Sequence, residues 1–521
     1  MGNEKTKRTG KKTNKFSLKY ARIRTGTNFG ILKTSIVVGL IVLQLVLLLL
    51  LGFYLYNVVN WLIVASLVIT VVFCLIVLSS HRTGQVKATW IFFMLACFTF
   101  GWVIFLMSNE RIMFGRNKKA YQKIYEKSNF QEKDIPDNLP RNVNNDCNYL
   151  STYGNFSVYN DYKAQYFSEG LLLFDDIIES LKSAKKFVFM EYFIMSDGLL
   201  LDKILEILKQ KVKEGVDVRI IYDDMGSHGS LTYKTKKMIR EMGIKLHAFN
   251  KLVPIFNLAL NLRDHRKIVV IDGKVAYTGG ANLADEYINK KHIHGYWKDC
   301  GIKIVGCCVN TFTLSFLRQW EFLTKEEQNY QNYLVPNKQS VNQDCVLVPY
   351  VSGPDYNYNI AREVYENMIS SANEKIYIMT PYFIPDETLF NMLKNKAQSG
   401  VDVRIILPDV PDKKTVYMIS LDTVQKLAMF GAKIYRRKGS FVHSKVVLTE
   451  GSCVVGSINM DQRSFYQQFE SAVYTNDKEI MQNVEQDFED SFAKSIQTTK
   501  SKTNVFRQML IYVLRLITPL M

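Results

Sequence analysis

Two short stretches of the chain combine residue types that suit the breaking and remaking of a phosphodiester. Each has a histidine, a lysine two positions later and a carboxylate seven positions later: His265, Lys267 and Asp272, then His443, Lys445 and Glu450. Since the chain has only seven histidines, chance would supply roughly 0.08 such arrangements. A histidine between a phosphate-binding lysine and a carboxylate can be held in one tautomer and act as nucleophile or proton carrier. The two stretches therefore predict catalysis.

The sequence around the two motifs is repeated in the same order. Residues 215–221 read Gly-Val-Asp-Val-Arg-Ile-Ile, and residues 400–406 repeat them letter for letter. Each motif is followed by small residues and an asparagine, with Gly280 and Asn282 in the first copy, and Ser457 and Asn459 in the second. Such a repeat predicts a duplicated unit. We expect the two halves to form one site between them.

The motifs need strands to position them. On a strand, residues i and i+2 point to the same face, so His265 and Lys267 share a face, and four apolar residues continue the strand after the lysine. Strand and helix patterns alternate through residues 187–222 and again through residues 376–407. This alternation predicts an α/β fold of two units, each with a mixed or parallel sheet flanked by helices.

The charge of the chain is uneven, which limits its function. The net charge is +17, but residues 1–33 hold ten Lys or Arg against one acidic residue. More than half of the excess is therefore in an N-terminal tail. A nucleic-acid-binding protein would carry its basic residues on the folded body. A basic run before an apolar block is instead typical of a cytoplasmic membrane flank, although a solvated arm is equally compatible for residues 1–20.

An apolar region follows the basic tail. Residues 34–80 contain no Asp, Glu, Lys or Arg and would span ~70 Å as helix, about two crossings of a ~30 Å hydrocarbon core. A third apolar run covers residues 88–107. We expect a multi-pass protein of the cell membrane. Three crossings would put the body outside, whereas Lys and Arg after the third run favour the inside, so we expect one span not to cross fully.

The eight cysteines predict neither disulfides nor a metal site. Cys307 and Cys308 are adjacent, and no CxxC or other metal-ligand spacing occurs. Buried free thiols are expected, with no cofactor and no metal.

On these residues the sequence resembles the phospholipase D superfamily and, within it, bacterial cardiolipin synthases. The superfamily pattern HxKxxxxD, followed by Gly or Ser, any residue and Asn, is met twice, with Glu450 replacing the usual Asp in the second copy. Further matches are residues 296–299 (Tyr-Trp-Lys-Asp), residues 316–320, and residues 459–465 leading to Glu470. The resemblance covers roughly residues 30–521. It is more specific for the superfamily than for the branch.

The resemblance implies a mechanism and a substrate. One histidine attacks the phosphorus of a phospholipid, the other protonates the departing alcohol, and a second alcohol then takes the phosphatidyl group. Lys267, Lys445, Asn282 and Asn459, with Gly280 and Ser457, would bind the phosphate, and the carboxylates would hold the histidines. The substrate would be phosphatidylglycerol in the membrane, giving cardiolipin and glycerol. By resemblance, His265 is expected to be the nucleophile.

Two other functions use the same residues. A phospholipase D-type phosphodiesterase would use water or another alcohol as acceptor. A nuclease is disfavoured because the folded body has no obvious stretch of basic and aromatic residues for binding a nucleic-acid strand. A catalytically silent membrane scaffold would be suggested by Glu450, but both His-Lys pairs are intact. Sequence does not predict the oligomeric state.

The expected organisation has six regions. They are a basic cytoplasmic tail (1–33), a transmembrane region (34–108), a linker or cap (109–155), the first half (156–338), the second half (339–496) and an amphipathic segment (497–521). In the last region apolar side chains such as Leu510 and Val513 share one helical face, with Arg507 and Arg515 off it. This pattern predicts an interfacial helix near the site or, alternatively, a helix packed on the protein's own core.

Overall fold

The computed structural model describes residues 25–54, 56–80, 84–108, 110–130, 135–252, 262–336, 345–498 and 505–517. The basic tail, predicted over residues 1–33, lies mostly outside the described residues. Four helices form the N-terminal apolar region: α1 (Thr25–Tyr54), α2 (Tyr56–Ser79), α3 (Gly84–Ala96) and α4 (Gly101–Ser108).

The apolar region contains two helices that are long enough to cross a membrane. The candidate spans are Ser35–Phe53 in α1 and Asn60–Ser79 in α2, and most of their side chains face outward. The third apolar run is broken at residues 97–100 into α3 and α4, of 13 and 8 residues. Each is shorter than the roughly 20 residues that a crossing needs.

Polar contacts hold this break in the third run. Ser66 and Thr70 of α2 both donate to the carbonyl of Phe98, at 2.8 Å each. Gly101 lets the chain turn back, because a Cβ there would lie 2.7 Å from the Cα of Met94. The run is thus a short helical hairpin packed against α2.

Two helices lie where a linker or cap was predicted. They are α5 (Glu110–Lys127) and α6 (Arg141–Thr152). Tyr121 of α5 donates to Gln319 at 2.8 Å, and Asp146 of α6 accepts from Tyr474 at 2.8 Å. Both helices therefore pack on the body that follows.

The first half alternates strands and helices and begins with β1, an edge strand of its main sheet. Its elements are β1 (Lys163–Phe167), α7 (Gly170–Lys182), β2 (Phe187–Tyr192), α8 (Leu199–Lys213), β3 (Asp217–Asp223), α9 (Tyr233–Glu241), β4 (Lys245–Phe249), β5 (Arg263–Asp264), β6 (Lys267–Ile271), β7 (Val275–Gly279), β8 (Tyr296–Lys298), β9 (Gly301–Val305) and α10 (Asn310–Thr324). The main sheet has the order β1-β9-β7-β6-β2-β3-β4.

The second half repeats this order of elements. They are β10 (Leu347–Ser352), α11 (Ile360–Ser371), β11 (Lys375–Met379), β12 (Phe383–Ile384), α12 (Glu387–Gln398), β13 (Asp402–Pro408), α13 (Lys414–Ala428), β14 (Lys433–Arg437), β15 (Ser440–Val442), β16 (Val446–Thr449), β17 (Cys453–Gly456), β18 (Met460–Asp461), α14 (Gln462–Tyr466), β19 (Gln468–Thr475), α15 (Lys478–Ala493), β20 (Ser495–Gln497) and α16 (Val505–Ile517). The sheet order is β10-β19-β17-β16-β11-β13-β14-β20.

The two sheets confirm the predicted duplicated α/β fold. In the first, β2, β3 and β4 are parallel while β6, β7 and β9 are antiparallel, and the second sheet matches this pattern. Central strands such as β6 are buried along their whole length because helices or the other half cover both faces. The unbroken apolar run after each lysine follows from that burial.

Two short strand pairs join the halves. β5 of the first half runs parallel to the start of β19 of the second, and β8 of the first runs parallel to β15 of the second. One buried core cluster contains Val270 from the first sheet and Val447 from the second. The halves therefore share a core, and their edges meet where the two motifs lie.

Candidate active site

The two motifs lie at the seam between the halves. His265 directly follows β5, and its backbone N–H donates to the carbonyl of Phe469 at 2.9 Å. His443 directly follows β15, and its N–H donates to the carbonyl of Lys298 at 2.7 Å. Each histidine is thus held by a strand of the opposite half.

The carboxylates that contact the histidines also come from the opposite half. His265 Nδ1 lies 3.0 Å from both carboxylate oxygens of Glu470, and His443 Nδ1 lies 2.7 Å from Asp299 Oδ2. Both carboxylates are fully buried. Because Nδ1 is engaged in each ring, Nε2 is the nitrogen that can react with a substrate.

Glu470 and Asp299 occupy equivalent positions in the two repeats. The backbone N–H of Gly280 donates to the carbonyl of Cys300 at 3.0 Å, and the equivalent N–H of Ser457 donates to the carbonyl of Ser471 at 2.8 Å. Asp299 and Glu470 are the residues that directly precede these two acceptors. Motif spacing alone gave these two residues no role. They were included only among the segments that match the resembled family, and their position beside a histidine required the strand pairing.

Asp272 and Glu450 are not beside the histidines, so the expectation that they hold the imidazoles is wrong. Asp272 accepts hydrogen bonds from the backbone N–H groups of Lys185, Lys186 and Phe187, at 2.7–2.9 Å. Glu450 accepts from Asn373 at 2.6 Å and Lys375 at 3.3 Å. The intervening strand carries the chain about 20 Å along the sheet, so the carboxylate lies beyond the opposite end of that strand. There it anchors the start of β2 or β11.

The two motif lysines lie inside the site. Lys267 Nζ donates to the carbonyl of His265 at 2.6 Å. Lys445 Nζ lies 2.8 Å from His443 Nδ1 and also donates to the carbonyl of His443. Burial lowers the pKa of Lys267 to about 7 and that of Lys445 to about 8, while Glu470 and Asp299 act in the opposite direction. A phosphate anion would restore both charges.

Burial also shifts the histidines and Glu470. Together with the lysine charges, it lowers the pKa of His265 well below its usual value and that of His443 to about 4. Burial raises the pKa of Glu470 to about 8, opposed by Lys267 and by the Ser457 hydroxyl, which donates to this carboxylate. Both imidazoles are therefore neutral at pH 7, and the charge of Glu470 depends on Lys267.

The predicted phosphate-binding residues lie next to this centre. Asn282 Oδ1 accepts from Ile194 N–H at 3.0 Å, and its Nδ2 donates to the Tyr287 hydroxyl at 2.6 Å. Asn459 is 5% exposed. Gly280 leaves room for the first carboxylate, because a Cβ there would lie 2.1 Å from Asp299 Oδ1. At the equivalent position of the second half, the Ser457 hydroxyl donates to the Glu470 carboxylate.

Aromatic rings line the site around His443. The rings of Tyr287, Trp297 and Phe441 have centroids 5.4–5.7 Å from the imidazole. On the other side, Phe193 lies 5.0 Å from the ring of His265. His265 and His443 are only 6% and 7% exposed, so the rings restrict the access of water. Within the described part of the chain, no group of three His, Cys, Asp or Glu side chains could hold a metal ion.

Comparisons with known proteins agree with this architecture. A family model described as "Cardiolipin synthase, PLD-like domain" matches residues 177–292 and 365–492. The chain is 33% identical over 450 residues to a cardiolipin synthase of Staphylococcus aureus strain Mu50, covering 82% of this chain and 89% of that one. It is 38% identical over 377 residues to an uncharacterized protein of Streptococcus mutans, covering 72% of this chain and 82% of that one.

A solved structure shares the fold. The phosphatidylserine synthase of Haemophilus influenzae Rd KW20 aligns with a TM-score of 0.53 and 14% identity. The alignment covers 68% of this chain and 93% of that chain. At this identity the likeness concerns the fold.

The different positions of Asp272 and Asp299 predict opposite effects of substitution. Asp299→Asn should lower kcat about 10³-fold at nearly unchanged thermal stability, because a neutral amide does not stabilise the imidazolium of His443. Asp272→Ala should cost about 1–3 kcal/mol of unfolding free energy, because three backbone N–H groups lose their acceptor, while kcat of the folded enzyme stays within about threefold. Thermal unfolding and turnover of both variants measure this. Equal loss of turnover in both variants would contradict the assignment.

Proposed function

The chain belongs to the phospholipase D-like family of cardiolipin synthases and is a phosphatidyltransferase, and we propose that it joins two phosphatidylglycerol molecules into cardiolipin and glycerol. One observation carries this proposal. Two histidines share one buried site, each with Nδ1 held by a carboxylate. Such a pair supplies one nucleophile and one proton carrier to a single phosphorus atom.

In the first step, His265 Nε2 attacks the phosphorus of one phosphatidylglycerol. A P–N bond forms and the bond between phosphorus and the glycerol oxygen breaks, while His443 transfers a proton to that oxygen. Glycerol leaves, and the phosphatidyl group remains on His265. Glu470 stabilises the positive charge that the attacked ring acquires.

In the second step, a hydroxyl of another phosphatidylglycerol attacks the phosphorus. Its proton passes to His443, the new P–O bond forms and the P–N bond breaks. Cardiolipin leaves, and both histidines return to their starting states. The low water access of the site favours the lipid alcohol over hydrolysis.

The lysines and asparagines would hold the nonbridging oxygens. Lys267 and Lys445 are buried in the site, with pKa values lowered to about 7 and about 8. The negative charge of a bound phosphodiester would raise both pKa values. The same negative charge would raise the pKa of His443, which is about 4 in the empty site, toward the protonated form that the first step requires. Substrate binding thereby prepares the acid. Asn282 and Asn459 would complete the phosphate cradle.

A product assay tests the proposed reaction. Purified protein incubated with phosphatidylglycerol as the only lipid should form cardiolipin and glycerol in equal amounts. The His265→Asn variant should form neither. Thin-layer chromatography and a glycerol assay measure the products. Phosphatidic acid with glycerol, without cardiolipin, would identify a hydrolase and refute the transferase proposal.

The two histidines should differ when the leaving group needs no proton. With an activated phosphatidyl ester, His443→Ala should still accumulate phosphohistidine on His265, because a good leaving group departs without protonation. His265→Ala should form no adduct. Mass spectrometry of peptides from both variants locates the phosphate. An adduct on His443 in the His265 variant alone would reverse the roles, and no adduct in either would contradict covalent catalysis.

We also infer that the protein is a multi-pass membrane protein whose catalytic body lies on the cytoplasmic side. Two crossings, by α1 and α2, return the chain to the side of the basic tail, and the hairpin of α3 and α4 is too short to cross again. A cysteine introduced at the exposed Asn138 should resist an impermeant maleimide in intact cells and react after permeabilisation. The unsubstituted protein gives the background, and reaction in intact cells would place the body outside.

A further inference from the structure

The last described helix, α16, turns Gln508 and Arg515 toward the protein. Arg515 donates to Asp422 of α13 at 2.6 Å and to Thr423 at 3.1 Å. Gln508 donates to the same aspartate at 3.4 Å. Ile511, on this side, is 1% exposed. These hydrogen bonds and the buried side chain of Ile511 attach the helix to the second half.

The opposite side of α16, here called the outer face, is apolar and exposed. Its members are all at least half exposed in the part of the chain that the structure describes: Val505 (72%), Met509 (60%), Leu510 (50%), Tyr512 (57%) and Val513 (58%). A helix on a water-soluble body shows the reverse arrangement, with apolar residues inward. A contiguous apolar patch of this kind marks a surface that meets something other than water.

The helix α16 lies next to the membrane segment. Gln85, at the start of α3, donates to the carbonyl of Arg515 at 3.2 Å. Its side-chain oxygen accepts from Gln462 of α14 at 2.6 Å. α3 in turn packs on α2, a candidate span. α16 therefore occupies the corner between the membrane hairpin and the segment that follows Asn459.

We propose that the outer face of α16 inserts into the lipid leaflet that adjoins the active site. The occupant is the phospholipid surface itself, because α16 contacts α3, which belongs to a hairpin packed on the candidate membrane span in α2. Charge agrees with this, since Arg507 on α16 and Lys413 and Lys414 beside α13 are exposed and suit anionic headgroups. The proposal rests on the proposed lipid substrate.

Insertion of α16 has a mechanistic consequence. It holds the edge of the second half at the bilayer surface, so that phosphatidylglycerol reaches His443 and Lys445 from the leaflet. Loss of the outer face should therefore weaken use of bilayer substrate while leaving the chemistry of a dispersed substrate intact.

Photocrosslinking tests the occupant with a matched control. The full chain carries benzoylphenylalanine at Met509 or at Met429, a similarly exposed methionine (60% and 54%) that directly follows α13. In vesicles of phosphatidylglycerol and phosphatidylethanolamine, illumination should give lipid adducts at 509 at least tenfold more often than at 429. Mass spectrometry identifies the adducts. A crosslink from 509 to a second copy, or to another segment of the same chain, would overturn the proposal.

Kinetics separate this proposal from the proposed function. The double variant Met509→Ser with Val513→Ser should lose about tenfold in kcat/KM on phosphatidylglycerol vesicles, and less than twofold on dihexanoyl phosphatidylglycerol below its micelle concentration. Met429→Ser should match the wild type on both substrates. Equal rates of the double variant and wild type on vesicles would refute membrane insertion of α16. If the wild type forms cardiolipin from neither substrate, the proposed function is refuted. The membrane insertion of α16 would still be tested by crosslinking, which needs no turnover.

Discussion

Four buried ionisable side chains, two from each half of the chain, interact electrostatically at the centre of this structure. Lys267 and Asp299 come from the first half, Lys445 and Glu470 from the second, and all are at most 3% exposed. The opposing charges are brought together only where the edges of the two sheets meet. The strand pairs β5 with β19 and β8 with β15 are the elements that bring them there.

The two halves are similar in backbone but differ behind the histidines. Arg266, between His265 and Lys267, pairs with Asp264 and Glu191 at 2.9 Å each and donates to Ser315 at 2.8 Å. The matching residue of the second half is Ser444, a short buried hydroxyl. The first motif is thus anchored by a buried ion-pair network that the second lacks. A rigid support of this kind agrees with a nucleophile at His265 and a proton carrier at His443.

The sequence predicted the repeated units, the α/β class and the two His-Lys pairs, because each depends on local spacing. Residues i and i+2 of a strand share a face whatever the tertiary fold. Motif spacing did not correctly predict which carboxylates contact the histidines. The i+7 spacing predicted that Asp272 and Glu450 contact the histidines. The strand between each histidine and its carboxylate, however, moves that carboxylate to the far end of the sheet. Asp299 and Glu470 reach the histidines through pairing between halves, which no spacing within one half encodes.

Other differences between sequence and structure also arise from tertiary contacts. The polar composition of residues 109–155 predicted a linker or cap without predicting its helices, α5 and α6, which bury residues such as Tyr121 and Leu150 against the body. The third apolar run had the composition of a span. Its turn depends on the approach of Gly101 to Met94 and on hydroxyls of α2, which hydropathy alone does not register.

The crossed pairing of histidines and carboxylates has a consequence for the synthesis of the protein. His265 is translated about two hundred residues before Glu470, its partner in the folded chain. Before the second half has been synthesised, His265 lacks the Glu470 carboxylate and Lys267 lacks the same negative charge. The catalytic site is therefore complete only after Glu470 has been synthesised and the two halves have paired.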